Sequence, residues 1–167
     1  GQINDVDAAS GAIGYGFTKA LLAERKETTL LVRDKVKAIK LFGAHSNLEI
    51  IEGDIHDRLL LNTLATSKDF VFHGANVSYE YWNNAMPVLT KKIINACELS
   101  GATLIFPGNN YNYGKTLEPI NEMTPFNPNC ALGKVRVRLE KSLQMASDAE
   151  RIKTLVVRLP EVWGPNV

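Results

Sequence analysis

Cysteine is scarce in this sequence: Cys97 and Cys130 are the only two among 167 residues. Two isolated thiols make no disulfide framework, so a reducing, cytoplasmic compartment is expected. Charge of one sign is lacking as well. Nineteen Lys and Arg stand against 18 Asp and Glu, a formal net charge of +1, which leaves no global pull toward nucleic acid or an anionic membrane. No apolar run approaches the roughly 20 residues of a membrane span. Segment 1–7 has neither the basic start nor the apolar core of a signal peptide, and there is no initiator Met. Three histidines, His45, His56 and His73, fall in separate segments without metal-ligand spacing, so no metal site is expected.

What is present suits one globular domain of ordinary size, with 45% hydrophobic and 22% charged residues. The chain is organised around the small-residue stretch 8–16, which contains Ser10, Gly11, Ala12, Ile13 and Gly14. Small residues let a backbone turn sharply and approach an anion, and a helix opening there offers unpaired N–H groups and a positive dipole end. The pattern reads as a phosphate-cradling turn. A P-loop is rejected, because Phe17 follows Gly16 where that motif needs a Lys, although Thr18 fits, and without the lysine the β- and γ-phosphates lose their charge partner.

Strand-like and helix-like patterns then alternate. Strands are expected at 3–8, 28–33, 48–51, 69–74, 103–106 and 152–159. The first is unusually polar, with Asn4, Asp5 and Asp7. Helices are expected at 12–25, 34–42, 57–65, 79–100 and 131–149. Ile13, Phe17, Ala20 and Leu21 form the apolar face of the first, and Pro87 bends the fourth. Residues 107–129 read as one long loop. Six alternations without a repeat imply right-handed crossovers and a doubly wound parallel α/β sheet, strand order 3-2-1-4-5-6. The ligand crevice then lies at the C-terminal ends of the first and fourth strands.

The other candidate residues fall at strand ends. Arg33 stands about twenty residues beyond the glycine turn, where such a fold meets an adenosine ribose; a guanidinium there favours a 2′-phosphate and hence NADP over NAD. Asp34, adjacent, works against that preference. Asp54 could accept from an adenine amine and Ile55 could cover the ring, while Asp54 or Asp57 could instead cap a helix. Gly74, Ala75 and Asn76 leave room for the middle of the cofactor. Lys134, Arg136, Arg138 and Lys141 form a basic helix surface without interleaved aromatics, so a nucleic-acid partner is not expected.

Ser10-Gly11-Ala12-Ile13-Gly14, Leu31-Val32-Arg33-Asp34, Gly53-Asp54, His73-Gly74-Ala75, Tyr113-Gly114, Pro119-Ile120-Asn121-Glu122, Arg158-Leu159-Pro160 and Trp163-Gly164-Pro165 occur in an order that resembles extended short-chain dehydrogenases/reductases. The NAD(P)-dependent epimerase/dehydratase branch is the one the chain is most similar to, over nearly its whole length. The resemblance implies a Rossmann fold over 1–167, a nicotinamide cofactor, and a small-molecule substrate such as a sugar nucleotide, carbonyl or alcohol. It also implies a homodimer through helices 79–100 and 131–149.

The resemblance further implies a Ser or Thr after the fifth strand and a Tyr-x-x-x-Lys pair in the next helix, where an ammonium lowers the phenol pKa. This sequence departs from both. The serine position falls on Gly108 or Asn109. The Tyr and Lys positions fall on Leu132 and Arg136, or on Cys130 and Lys134 in a shifted register. Asn109, Tyr113 and Lys134 are the remaining catalytic candidates, with Tyr79, Tyr81 and Tyr111 as other phenols. Family members also carry a substrate lobe beyond the Trp163-Gly164-Pro165 region. Two alternatives to an enzyme therefore stand: a dinucleotide-binding sensor or scaffold without turnover, and the cofactor-binding part of a longer enzyme.

Overall fold

The computed structural model describes residues 2–5, 12–75 and 79–160. Within them the chain forms β1 (Gln2–Asp5), α1 (Ala12–Ala23), β2 (Thr28–Val32), α2 (Lys35–Phe42), β3 (Leu48–Glu52), α3 (Arg58–Ala65), β4 (Phe70–Phe72), α4 (Trp82–Ser100), β5 (Thr103–Asn109), α5 (Ala131–Asp148) and β6 (Thr154–Leu159). All six strands are parallel, in the order β3-β2-β1-β4-β5-β6 expected from the alternation.

The polar first strand takes a central place. Gln2, Ile3 and Asn4 pair with Thr28, Thr29 and Leu30 on one side and with Phe70, Val71 and Phe72 on the other. Two full backbone ladders hold β1, so its low strand propensity is overridden by position. Residues 6–8, expected to continue the strand, lie outside the described residues.

Alternation along the strands divides the core. Leu31, Val71, Leu104 and Phe106 face α3, α4 and α5, and the main cluster includes Leu61, Met86, Leu89, Ile93, Leu139 and Leu143. Leu30, Val32 and Ile50 face the other way, onto Leu22 of α1 and Ala38 and Phe42 of α2. β2 is buried along all five residues, as a strand covered on both faces must be.

Three expectations need correction. The buried stripe of α1 is Gly14, Thr18 and Leu22, whereas Ile13, Phe17 and Leu21 are half-buried and Ala20 is exposed. Small side chains at 14 and 18 let the helix close on the sheet, and Phe17 reaches sideways to stack on Phe72 with centroids 4.4 Å apart. Next, the stretch after residue 106 is not all loop: β5 continues to Asn109 and a 3₁₀ turn follows at Asn110–Asn112. β6 supplies the reason, because Pro107, Gly108 and Asn109 pair with Val157, Arg158 and Leu159. Leu104 bonds toward β6 and Ile105 toward β4, so the nitrogen of Pro107 points to the β4 side, where that ladder has ended at Ile105. No ladder bond is lost. Finally, the helix expected from 79 starts at Trp82, with a 3₁₀ turn at Tyr79–Tyr81 before it, and Pro87 lies within its span.

Candidate functional site

The strand order reverses between β1 and β4, and a doubly wound sheet has its ligand crevice at the C-terminal ends of the strands flanking such a reversal. Ser10 and Gly11 lie outside the described residues. Ala12 opens α1, Ile13 is half-buried and Gly14 is buried. The Phe17–Phe72 stack seats this helix on β4, and a second stack, Tyr15 on Phe42 at 5.7 Å, seats it against α2.

At the tips of β2 and β3 the acidic groups have local work. Arg33 is exposed just past β2. Asp34 is the N-cap of α2, its Oδ1 accepting from the Lys37 amide at 2.8 Å. Glu52, the last residue of β3, reaches across and accepts from the Lys35 amide, also at 2.8 Å. Gly53 follows and donates its N–H to the Val32 carbonyl at 2.8 Å. A Cβ at residue 53 would lie 2.4 Å from Leu60 Cδ2, the end of a side chain that would have to turn aside. Of the two possible caps beyond β3, Asp57 is the one used, accepting from Leu60 at 3.1 Å. Asp54 instead closes a turn onto the His56 amide at 2.8 Å and stays exposed. Ile55 packs against the main core.

Beyond β4, Gly74 is half-buried and Ala75 buried, whereas Asn76 lies outside the described residues. His73 is fully internal. One ring nitrogen, Nε2, meets Thr90 Oγ1 on α4 at 2.9 Å. Burial, reinforced by the charge of Arg136, lowers its pKa to about 3, so the ring is neutral and ties β4 to α4.

The end of β5 and the start of α5 come together where the family resemblance expects a proton relay. Asn109 closes β5, and its Oδ1 accepts from the Tyr111 amide at 3.1 Å. A Cβ at Gly108 would sit 2.9 Å from Glu140 Oε1, so only Asn109 of the two candidate positions has space for a side chain. Leu132 packs on the main core. Arg136, one turn further on, lays its guanidinium over the Trp82 ring at 4.4 Å and donates to the Pro107 carbonyl at 3.3 Å. Lys134 is exposed on the first turn of α5. Tyr113 is 1% exposed, with the Phe126 ring edge-on at 5.7 Å and the Arg158 guanidinium 5.6 Å away. Burial raises its phenol pKa, opposed by the Arg158 charge. Cys130 caps α5, its Sγ accepting from the Gly133 amide at 3.4 Å.

Residue patterns did not expose three of these features: Glu52 on the Lys35 amide, Arg136 on Trp82, and the buried Glu140–Arg158 pair at 2.6 Å. A glutamate closing a strand reads as a solvated end. Glu140 carried a usable signal, since it is a carboxylate beside the buried stripe Val135, Leu139 and Leu143. Among the described residues no group of three or more His, Cys, Asp or Glu could hold a metal ion, and no helix is long and apolar enough to cross a membrane.

A doubly wound sheet with its reversal at β1/β4, small residues ending β4 and a capped helix beyond β2 defines a Rossmann-type domain. The chain belongs to the NAD dependent epimerase/dehydratase family, whose model matches residues 9–167. Among solved structures it is similar to the UDP-N-acetylglucosamine 4-epimerase of Methanobrevibacter ruminantium M1 in complex with UDP-N-acetylmuramic acid. That match has a TM-score of 0.82 at 21% identity and covers 99% of this chain and 56% of the other. The UDP-glucuronic acid 4-epimerase of Bacillus cereus in complex with NAD gives 0.82 at 20% identity, covering 99% and 58%. A dTDP-glucose 4,6-dehydratase of Streptomyces venezuelae, a double mutant of DesIV with NAD and DAU bound, gives 0.84 at 18% identity, covering 99% and 57%. At these identities the likeness is one of fold. The chain spans little more than half the length of these structures. No curated protein matches it in sequence.

Proposed function

We propose that the chain binds a nicotinamide dinucleotide along the C-terminal ends of β1, β2 and β4, with NADP the preferred form, and presents it to a small carbonyl or alcohol such as a sugar nucleotide. The observation that carries this reading is the strand reversal between β1 and β4, the place where doubly wound sheets take their ligands. Ser10, Gly11, Ala12, Ile13 and Gly14 would receive the pyrophosphate at the helix start. Arg33 would meet the 2′-phosphate, Asp54 and Ile55 the adenine, and Gly74, Ala75 and Asn76 the middle of the cofactor. The small, half-buried or buried Gly74 and Ala75 suit a group passing close to the backbone. When bound, the cofactor supplies hydride transfer. The chain's own part is to orient it and to hold a substrate oxygen, for which Asn109 retains an amide donor while its Oδ1 is engaged with Tyr111.

Titration calorimetry with NADP(H) and NAD(H) tests the reading. Saturable binding of at least one is expected, and no binding of either at millimolar concentration overturns it. Arg33→Ala should weaken NADP by roughly 1.5–3 kcal/mol, the worth of a charged hydrogen bond, and leave NAD almost unaffected.

A second reading, binding without turnover as a sensor or scaffold, draws on Leu132 and Arg136 standing where a phenol and a lysine are implied. Tyr113, the substitute phenol favoured by its place in the sequence, is buried with its pKa raised, and Lys134 is exposed. Hydride exchange with a panel of carbonyl compounds that disappears in Tyr113→Phe would overturn it. Single-domain organisation, a longer native product with a substrate lobe, and pairing of copies through α4 and α5 belong to the same proposal. Intact mass and sedimentation of the native protein measure these.

A further inference from the structure

We propose that Glu52 is a determinant of which dinucleotide the chain accepts, acting against the 2′-phosphate of NADP and so tempering the preference set by Arg33. The inference rests on the reading that a dinucleotide lies along these strand ends.

β2 ends at Val32, and Val32 pairs directly with Glu52 of β3. The carboxylate of Glu52 therefore lies beside the tip of β2, where a doubly wound fold meets the adenosine ribose. From there Oε2 reaches the first amide of α2, Lys35, at 2.8 Å. Asp34 takes the third, Lys37, at the same distance. Amides at a helix start are the groups that otherwise receive a phosphate, and here two are already committed to carboxylates. A 2′-phosphate would bring a further charge of about −1.5 to −2 into a turn that holds Arg33, Lys35 and Lys37 against Asp34 and Glu52. The free ribose hydroxyl of NAD brings none. Asp34 is the ordinary N-cap of its own helix. Glu52 comes from the neighbouring strand, so its charge can be removed without touching that cap.

Glu52→Gln retains an acceptor oxygen for the Lys35 amide while removing the charge. Titration of wild type and variant with NADP and with NAD should show the affinity ratio moving about tenfold toward NADP, as expected for removing one charge at contact range. The shift should shrink in ~1 M salt. Asp34→Asn, an independent variant that also keeps its acceptor, should move the ratio the same way. Glu49→Gln, the same charge change lower on β3, should not. A ratio unchanged in Glu52→Gln, whatever Asp34→Asn does, or an equal shift in Glu49→Gln, overturns the proposal while the cofactor reading stands. Failure of wild type to bind either dinucleotide overturns both.

Discussion

Arg138 on α5 donates to the backbone carbonyl of Asn83 on α4 at 3.4 Å and to its side-chain Oδ1 at 3.0 Å. That carbonyl is the one left without a helical donor by Pro87, four residues on, which has no N–H. The proline inside α4 is thus tolerated through a side chain from its neighbour. Arg138→Ala should lower stability by about 0.5–1 kcal/mol, modest because the bond is exposed. In a Pro87→Ala background, where residue 87 regains its donor, the same change should cost less. Urea unfolding of the four proteins measures the coupling.

Two glycines should respond with opposite sign. Gly16 lies inside α1 with open space around it, so Gly16→Ala should stabilise by about 1 kcal/mol through helix propensity alone. A Cβ at Gly133 would lie 2.3 Å from the Tyr111 carbonyl oxygen and 2.8 Å from Pro128 Cβ. Gly133→Ala must push α5 away from the 3₁₀ turn after β5, at a cost of roughly 1–3 kcal/mol. Thermal unfolding midpoints should rise for the first and fall for the second.

The Glu140–Arg158 pair should be costly to break and cheap to replace. Glu140 is 4% exposed and Arg158 24%, so Glu140→Leu alone strands a largely buried guanidinium and should cost about 3 kcal/mol or more. The double variant Glu140→Leu/Arg158→Met removes both charges together and should recover much of that loss. Equal losses in the single and the double variants would contradict the account.

Acid should destabilise the fold through His73. Its pKa is about 3 in the folded chain against the ordinary imidazole value of 6.5, so the unfolded chain binds the proton first. The contribution of the neutral ring is complete above about pH 6.5. It falls by up to about 1.4 kcal/mol per pH unit as pH drops toward 3. Unfolding free energies of wild type should therefore decline between pH 7 and 5, and those of His73→Asn should decline less steeply.

Much of this architecture is legible in the residues. The six alternations and a cap at Asp54 or Asp57 are read from local patterns, because caps and apolar periods are local physics. β1 is legible only from its neighbours, since its residues argue against a strand and its two ladders decide the matter. The face of α1 shifts by one residue because close approach to the sheet selects Gly14 and Thr18 over larger apolar side chains. Sequence gives no sign of what Glu52 and Arg136 engage, because their partners, the Lys35 amide and the Trp82 ring, lie 17 positions away in one case and on a different helix in the other. At the candidate site, positions at strand ends can be named in advance. Whether a carboxylate there is free or engaged depends on tertiary hydrogen bonds.

The seating of Arg136 on Trp82 gives the molecule an optical handle. Trp82 is the first residue of α4 and 2% exposed, while Arg136 belongs to α5 and also touches the end of β5 through the Pro107 carbonyl. Any event that shifts α5 against α4, or draws the guanidinium toward an arriving anion, changes the polarity and charge felt by that indole. Intrinsic emission from Trp82 would then report such a shift without a label.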